Sequence, residues 1–159
     1  MQVSSSSEVV LSEDVRGATI FQMVDCRVRD TVSAVELPQC VSIMDANRTD
    51  CYVHHNDSLL RGDPEFDSDN VPLFNLDSSF ILHSDTFYPD LYALESINFR
   101  NWYIKSRADG RLGIVQRTNT ADYYDTASFR IYSYNTSGVY LRSIHCVTVH
   151  SLRKNLAGN

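Results

Sequence analysis

The sequence predicts an all-β domain built from three repeats of about 50 residues, each holding about four short strands. Segments of the chain recur at offsets of 51, 49 and 47 residues. Within these segments, apolar and polar side chains alternate with the period of two that is typical of half-buried strands. Helix signals are scarce, because no amphipathic stripe reaches a useful length. Three such units, with both chain termini inside one of them, favour a closed all-β fold.

The middle repeat has the clearest strands. Its first strand alternates in character from Leu91 to Ser96, and its second is aromatic and β-branched from Trp102 to Lys105. The dipeptide Asp109-Gly110 is typical of a hairpin turn and separates the second strand from the third. The four predicted strands of this repeat cover residues 91–96, 102–105, 111–116 and 127–132.

The first repeat is found by laying residues 40–55 on residues 91–106, a constant offset of 51. In this superposition Ile43 falls on Leu94, so the two residues are predicted to occupy equivalent core positions. The first repeat therefore begins with the same strand, turn and strand as the middle repeat.

A second match between these repeats joins residues 77–81 to residues 126–130 at an offset of 49. Between the two matches the first repeat has a longer loop, residues 62–73, which breaks the internal symmetry. Each matching segment has phenylalanine as its fourth residue, which is expected to face the core. The predicted core positions of the three repeats are Ile43, Leu94, Leu141, Phe80 and Phe129.

The third repeat starts at residues 141–144, which repeat residues 94–97 at an offset of 47. Residues 147–150 are its predicted second strand. Residues 17–21 resemble the last strand of the middle repeat, so the beginning of the chain is expected to complete the third repeat. Further short strands are predicted over residues 9–11, 19–24 and 32–37.

The repeat resembles that of the arabinose-binding β-trefoil module found at the end of fungal α-L-arabinofuranosidase B enzymes. The shared pattern is a strand ending in Ser and an apolar residue, a short turn, an aromatic-Tyr-aliphatic strand and an Asp-small-Ser/Thr-Phe segment, and it covers residues 40–132. Residues 94–104 are also similar to the signature segment of the interleukin-1 family, another β-trefoil family. The resemblance implies one β-trefoil domain over residues 9–159, after a flexible polar tail of residues 1–8.

The resemblance to the arabinose-binding module also implies a sugar pocket in the first repeat. In that family a His at the end of the second strand and an Asp before the Ser/Thr-Phe segment bind the hydroxyls of a terminal furanose, and here they are His55 and Asp77. His54 stands where the family has Arg, so either histidine is a candidate for the pocket. The ring of Tyr52 is expected to cover an apolar sugar face.

The corresponding positions of the other repeats lack this pair. The middle repeat has Ser106 and Thr126, with Asp125 one residue out of register, and the third has His150 opposite Gly17. One intact pocket for a furanose- or galactose-type sugar is therefore predicted. The alternative is that these histidines are strand-end residues without a ligand and that Asp77 only caps a turn.

Composition and charge exclude some other functions. At 159 residues the chain is expected to form one domain with a single core. A formal charge of −6 and a pI near 5.2 disfavour nucleic acid as a partner. No apolar run approaches the roughly 18 residues that cross a membrane, so membrane insertion is not expected either. The partners expected are a glycan or glycoprotein, or alternatively a protein receptor that binds the 62–73 loop.

The four cysteines and the beginning of the chain bear on its location. Two disulfides are predicted as an alternative to buried thiols, and the sequence leaves the pairing open among Cys26, Cys40, Cys51 and Cys146. The first eight residues have no apolar core of a signal peptide. With three glycosylation sequons as weak support, we expect an excised extracellular domain of a secreted glycoprotein.

Catalysis is not expected from the sequence. None of the common nucleophile, zinc-protease or phosphate-loop motifs is present, and no cofactor is expected. The acidic segment of residues 63–69 superficially resembles a calcium loop. Pro64 and Phe66 interrupt it, however, and a solvated acidic loop is the better interpretation. The two remaining hypotheses are a sugar-binding module and a protein-recognition β-trefoil.

Overall fold

The computed structural model describes residues 2–3, 9–10, 20–28, 39–65, 68–131, 133–134 and 140–142. Over these residues the chain forms twelve strands and two short helices. The strands are β1 (Gln2–Val3), β2 (Val9–Val10), β3 (Ile20–Asp25), β4 (Cys40–Asp45), β5 (Arg48–Asn56), β6 (Leu59–Pro64), β7 (Ser79–Ser84), β8 (Tyr92–Ser96), β9 (Trp102–Ser106), β10 (Leu112–Gln116), β11 (Ser133–Tyr134) and β12 (Tyr140–Arg142), and the helices are α1 (Val71–Asp77) and α2 (Ala121–Ala127).

Seven of the strands close into a barrel. They follow one another around it in the order β4, β5, β6, β10, β9, β8 and β7, and β7 pairs again with β4 to close the ring. The strands β3, β12 and β11 extend the sheet outward from β4. The all-β prediction is confirmed by this architecture, because the two helices in the described part of the chain are seven residues each.

The contact between β6 and β10 depends on a glycine. Gly113 pairs with Leu59, and the next residue, Ile114, donates its backbone N–H to the carbonyl oxygen of Ser58 at 2.9 Å. A Cβ atom at position 113 would lie 2.3 Å from that same oxygen. Only glycine lets the two strands approach this closely.

The core of the barrel contains the apolar residues that the repeat pattern predicts. Ile43, Leu94, Phe80 and Phe129 are all completely or almost completely buried and belong to one cluster, which Phe21 also joins. The side chain of the remaining predicted core residue, Leu141, lies outside the described residues. Alternation along each strand accounts for the cluster, since every second side chain points into the barrel.

The two helices lie where the sequence predicted a loop and the start of a strand. The predicted loop 62–73 is wrong in extent, because β6 continues to Pro64 and α1 begins at Val71. The predicted strand 127–132 is also wrong at its start, because Ala127 ends α2, and Phe129 forms only an isolated bridge with Tyr92.

Each helix begins at a polar cap. The Asn70 side chain accepts a hydrogen bond from the N–H of Leu73 at 3.1 Å, and the Thr120 hydroxyl accepts one from Tyr123 at 3.3 Å. Such caps satisfy backbone donors that have no partner in the first helical turn. Pro72 stands in the first turn of α1, where it removes no helical hydrogen bond.

Segments from the two ends of the chain lie side by side. β12 pairs with β3, and Leu141 stands opposite Phe21. Within the segment predicted as a polar tail, Gln2–Val3 pairs with Val9–Val10. The predicted strands 32–37 and 147–150 lie outside the described residues, and the predicted domain boundaries stay predictions.

A disulfide joins Cys26 to Cys40, with Cα atoms 5.3 Å apart. The antiparallel register of β3 on β4 explains this pairing. Asp25 stands opposite Val41, so Cys26, which follows Asp25, lies beside Cys40, which precedes Val41. Cys51 is a buried free thiol, whose pKa is raised by burial, and Cys146 lies outside the described residues. Of the pairings that the sequence left open, the one between Cys40 and Cys51 is therefore excluded, because Cys40 is bonded to Cys26.

Candidate functional site

A cavity of about 380 Å³ opens at one end of the barrel, where the end of β5, the helix α1 and the β8–β9 turn meet. Such a volume is within the range of about 300–1,000 Å³ that is usual for small-molecule sites. Polar groups and apolar groups contribute to its lining. The lining residues that matter for its chemistry are His55, Asp77 and Asn98 on the polar side and Leu73, Phe99 and Trp102 on the apolar side.

A hydrogen-bonded cluster forms the polar side of this cavity. The Nε2 atom of His55 lies 3.0 Å from the Oδ1 of Asn98 and 3.3 Å from the Oδ1 of Asp77. Asn98 donates its amide to the same Asp77 oxygen at 2.6 Å, and Ser96 donates its hydroxyl to Asn98 at 2.8 Å. Because Nε2 faces two acceptor oxygens, the neutral ring carries its proton there. Among the described residues, both of these contacts to Asp77 use its Oδ1 atom.

Burial determines the protonation state of His55. Only 5% of the His55 side chain is exposed, against 17% for Asp77. Burial lowers the pKa of His55 below its usual value, although the neighbouring Asp77 carboxylate and the Asn98 hydrogen bond oppose this effect. His55 is therefore neutral at pH 7, and its ring offers one donor and one acceptor.

The adjacent histidine points elsewhere. His54 lies on the opposite face of β5 from His55, because successive side chains of a strand alternate. Its Nε2 lies 2.9 Å from the Oδ2 of Asp63, and its ring packs against Phe74 with centroids 4.8 Å apart. Of the two candidate histidines, the structure therefore brings His55 to Asp77.

Tyr52 is not among the residues that line this cavity. The guanidinium of Arg27 lies 4.3 Å from the centre of its ring, and Arg27 also pairs with Glu65 and donates to Asn75 at 2.9 Å. The aromatic side chains that border the cavity are instead Phe99 and Trp102.

Asn98, Phe99 and Trp102 were missed in the sequence because they belong to the repeat that follows. The sequence pattern describes each predicted repeat separately, whereas residues of the first and the middle one both line the cavity. The available signal was the β8–β9 turn itself, since a loop between strands of a rigid barrel is where recognition residues are expected.

The corresponding positions of the middle repeat have a different chemistry. Ser106 donates its hydroxyl to the backbone carbonyl of Thr126 at 3.4 Å, and Thr126 donates its own hydroxyl to the carbonyl of Asp122 at 2.6 Å. Asp125 accepts a hydrogen bond from the hydroxyl of Tyr88 at 2.5 Å. The third-repeat candidates, His150 and Gly17, lie outside the described residues.

A metal-binding cluster and a membrane-spanning helix are both lacking in the described part of the chain. No group of three or more His, Cys, Asp or Glu side chains is placed to hold a metal ion there. Among the same residues, no helix is long and apolar enough to cross a membrane.

The described residues thus form an all-β domain with a closed seven-strand barrel and a polar cluster beside a cavity. A family model described as the alpha-L-arabinofuranosidase B (ABFB) domain matches residues 27–131, which is more than half of the chain. The chain belongs to this family. No curated protein sequence matches it significantly.

Solved structures of similar fold include two arabinofuranosidases. One is a GH54 α-L-arabinofuranosidase soaked with a cyclic sulfate inhibitor, with a TM-score of 0.57 and 19% identity over 72% of this chain and 24% of that one. The other is an arabinofuranosidase complexed with arabinofuranosyl-α-1,2-xylobiose, with a TM-score of 0.52 and 15% identity over 66% of this chain and 26% of that one. The chain thus spans about a quarter of these enzymes.

The NMR structure of the pro-inflammatory cytokine interleukin-36alpha is a further neighbour. It has a TM-score of 0.48 and 14% identity over 78% of this chain and 80% of that one. An overlap of this size carries no argument about the function of the chain.

Proposed function

We propose that this protein is a non-catalytic carbohydrate-binding β-trefoil module that holds one terminal furanose- or galactose-type sugar in the cavity beside His55 and Asp77. The observation that carries the proposal is that these two residues, 22 positions apart in the sequence, are 3.3 Å apart at the wall of a sugar-sized cavity. Membership of a family named after an arabinofuranosidase supports arabinofuranose as the first ligand to test.

The arrangement suits neighbouring sugar hydroxyls. Asp77 offers a carboxylate that accepts hydrogen bonds from sugar hydroxyls. The neutral His55 ring directs its Nε2 proton at Asn98 and Asp77 and offers its other nitrogen as an acceptor. Asn98 holds both groups in place through its amide, so little conformational freedom is lost when a ligand binds. Phe99 and Trp102 provide an apolar surface for the ring carbons of the sugar.

The same cluster does not suit nucleophilic catalysis. A serine, a histidine and an aspartate meet here, because the hydroxyl of Ser96 lies 3.2 Å from Nε2 of His55. In a catalytic triad the carboxylate orients the ring nitrogen that does not face the serine. Here Asp77 and Ser96 approach the same nitrogen. We therefore propose a binding role and leave catalysis to other domains of the related enzymes.

An extracellular location is part of this proposal. Disulfides persist mainly in oxidising compartments, and Cys26 and Cys40 form one. A glycan, free or carried by a glycoprotein, would be met in that location. We propose a secreted or extracellular domain on these grounds.

The test compares two positions that match each other in the two repeats. Removing one partner of a buried hydrogen-bonding site costs about 1–3 kcal/mol, enough to lose a weak ligand. Asp77→Ala should therefore abolish the binding of methyl α-L-arabinofuranoside and of methyl β-D-galactoside in calorimetric titration. Thr126→Ala should bind as the parent does, because that side chain donates to the carbonyl of Asp122 in its own helix and is not a carboxylate.

A glycan array on the purified parent domain extends the test beyond these two sugars. The proposal fails if the parent binds no saccharide on the array or in titration. It fails also if the Asp77→Ala protein, shown to be folded by circular dichroism, binds with the affinity of the parent.

Protein recognition is the second candidate, and one observation favours it. The largest exposed apolar side chains of the described residues are Val71, Leu73 and Phe99, exposed by 40%, 47% and 47%. Two of them, Leu73 and Phe99, border the cavity. Exposed apolar groups beside a cavity are typical of protein interfaces as well as ligand sites. This candidate would be favoured if the parent domain bound a glycan-free protein ligand and the Phe99→Ser variant bound it more weakly.

A further inference from the structure

Two further cavities continue from the one beside His55. A cavity of about 180 Å³ shares His55, Asp77 and Leu73 with the first, and also reaches His54 and Phe74. A cavity of about 280 Å³ shares His54 and Phe74 with this middle one. The three cavities therefore adjoin one another, and together they are called the groove. The groove lies beside the beginning of α1, since Asn70 and Leu73 line its middle cavity.

The far end of the groove resembles the near end chemically. A histidine and an aspartate, His54 and Asp63, are hydrogen-bonded at 2.9 Å, as His55 and Asp77 are paired at the near end. The ring of Phe74 packs against His54 and lines the same cavity. The side chain of Asp63 is 28% exposed, so its carboxylate reaches the groove rather than being enclosed by protein.

The charge of the groove limits the kind of ligand. Four carboxylates line its three cavities, and the protein has a formal charge of −6. Carboxylates accept hydrogen bonds from neutral sugar hydroxyls but repel uronic acids and sulfated sugars. The four groove carboxylates belong to Asp57, Asp63, Asp69 and Asp77.

We propose that this groove binds a neutral oligosaccharide, with the terminal sugar beside His55 and Asp77 and the following sugar beside His54, Asp63 and Phe74. The inference rests on the proposed sugar-binding function and adds to it a second subsite. The two subsites lie on opposite faces of β5, and the cavity shared by both histidines connects them. A ligand that spans them gains a second set of contacts without a second cost of association.

The experiment titrates the parent domain with two neutral probes, methyl α-L-arabinofuranoside and α-linked arabinotriose. Arabinotriose should bind the parent about tenfold more tightly than the methyl glycoside, because one additional hydrogen-bonded subsite is worth roughly that factor. The double variant Asp63→Asn/Asp69→Asn should bind arabinotriose about tenfold more weakly than the parent. Its affinity for the methyl glycoside should be unchanged, because both substitutions lie outside the first cavity.

The matched control is Asp90→Asn/Asp109→Asn, which also removes two exposed carboxylates, neither of which lines the groove. It should leave both affinities at the parent values, and a loss there would assign the effect to net charge and overturn the second subsite. Equal affinities of the parent for both probes would overturn the second subsite while the proposed function stands. Binding of neither probe would overturn both.

Discussion

Two regions of this molecule share a scaffold but differ in chemistry. The first region, residues 40–84, contains β4 to β7 with α1, and the second region, residues 91–131, contains β8 to β10 with α2. In each, a seven-residue helix begins at a polar cap and ends just before a buried phenylalanine. A serine one residue before that phenylalanine donates its hydroxyl to a helix carbonyl at 2.7 Å in both regions.

The difference lies at the end of the second strand of each region. The first region has the buried His55 there and pairs it with Asp77. The second has Ser106, whose hydroxyl donates to the backbone of Thr126 and so stays within the protein. Only the first arrangement presents a carboxylate and an imidazole to a cavity.

The comparison shows which positions the scaffold constrains. The phenylalanines and the helix caps satisfy packing and hydrogen bonding in both regions, so the chemistry at these positions is shared. The side chains at positions 55 and 106 make different contacts: His55 pairs with a carboxylate, and Ser106 donates to a backbone carbonyl. They are therefore free to differ, and the chemical difference between the two regions is found there.

The largest expected effect tests the shared scaffold. Phe80→Ala and Phe129→Ala each remove a ring that is 0% or 1% exposed in the same core cluster. Each should lower the free energy of unfolding by about 3–5 kcal/mol, which is a large part of the stability of a domain. Chemical denaturation followed by circular dichroism measures both values.

The two losses should agree within about 1 kcal/mol if the regions are equivalent in packing, given the usual spread for one type of substitution. A parent-like midpoint for either variant would contradict burial of its ring. A large loss for one variant beside a small loss for the other would instead show that the two regions contribute unequally to the core.

The sequence was sufficient for the all-β class and for four of the core residues. The offsets of 51 and 49 residues align Ile43 with Leu94 and Phe80 with Phe129, and all four are buried together. Strand alternation and core residues are local signals, so they can be recognised without knowing the register of the sheet.

The helices and the disulfide could not be predicted in the same way. A seven-residue helix is two turns long and cannot show a sustained helical period, although the caps Asn70 and Thr120 were visible. The pairing of Cys26 with Cys40 depends on how β3 aligns with β4, and the sequence alone does not contain that register.

The sequence predicted the charged and imidazole side chains of the candidate site but not the residues around them. His55 and Asp77 were recognised through a family resemblance. Asn98 and the aromatic wall were missed, because the barrel brings them from the next repeat. Contacts between repeats follow from closure of the barrel and not from the pattern within one repeat.

A smaller effect is expected at the helix caps. Asn70→Ala and Thr120→Ala each remove an acceptor for a backbone N–H in the first helical turn. Each should lower the free energy of unfolding by about 1 kcal/mol, the usual value of such a cap. Asn70→Ser and Thr120→Ser keep an acceptor and serve as matched controls that should stay close to the parent. Equal losses in the Ala and Ser variants would show that the caps do not act through this hydrogen bond.

The smallest expected effect is a pH dependence that distinguishes the two regions. Burial lowers the pKa of His55 in the folded protein below the value of about 6.5 that it has in the unfolded chain. Between these two pKa values the unfolded state binds more protons, so stability increases with pH. The contribution of His55 is complete above pH 6.5 and is lost as the pH falls below that value towards the folded-state pKa.

The substitution His55→Ser installs the residue that the second region has at the matching position, and it should remove this contribution. Between pH 7 and pH 6 the parent should lose more free energy of unfolding than the variant does, by a fraction of the roughly 1.4 kcal/mol per pH unit that one proton provides. Ligand affinity should follow the same direction, because protonation removes the acceptor of the His55 ring. Denaturant titrations of both proteins at several pH values measure the difference, and the substitution Ser106→Ala controls for the loss of a strand-end side chain in the second region. Parallel pH profiles for the parent and His55→Ser would contradict a lowered pKa at this position, and would leave the two regions alike in their response to acid.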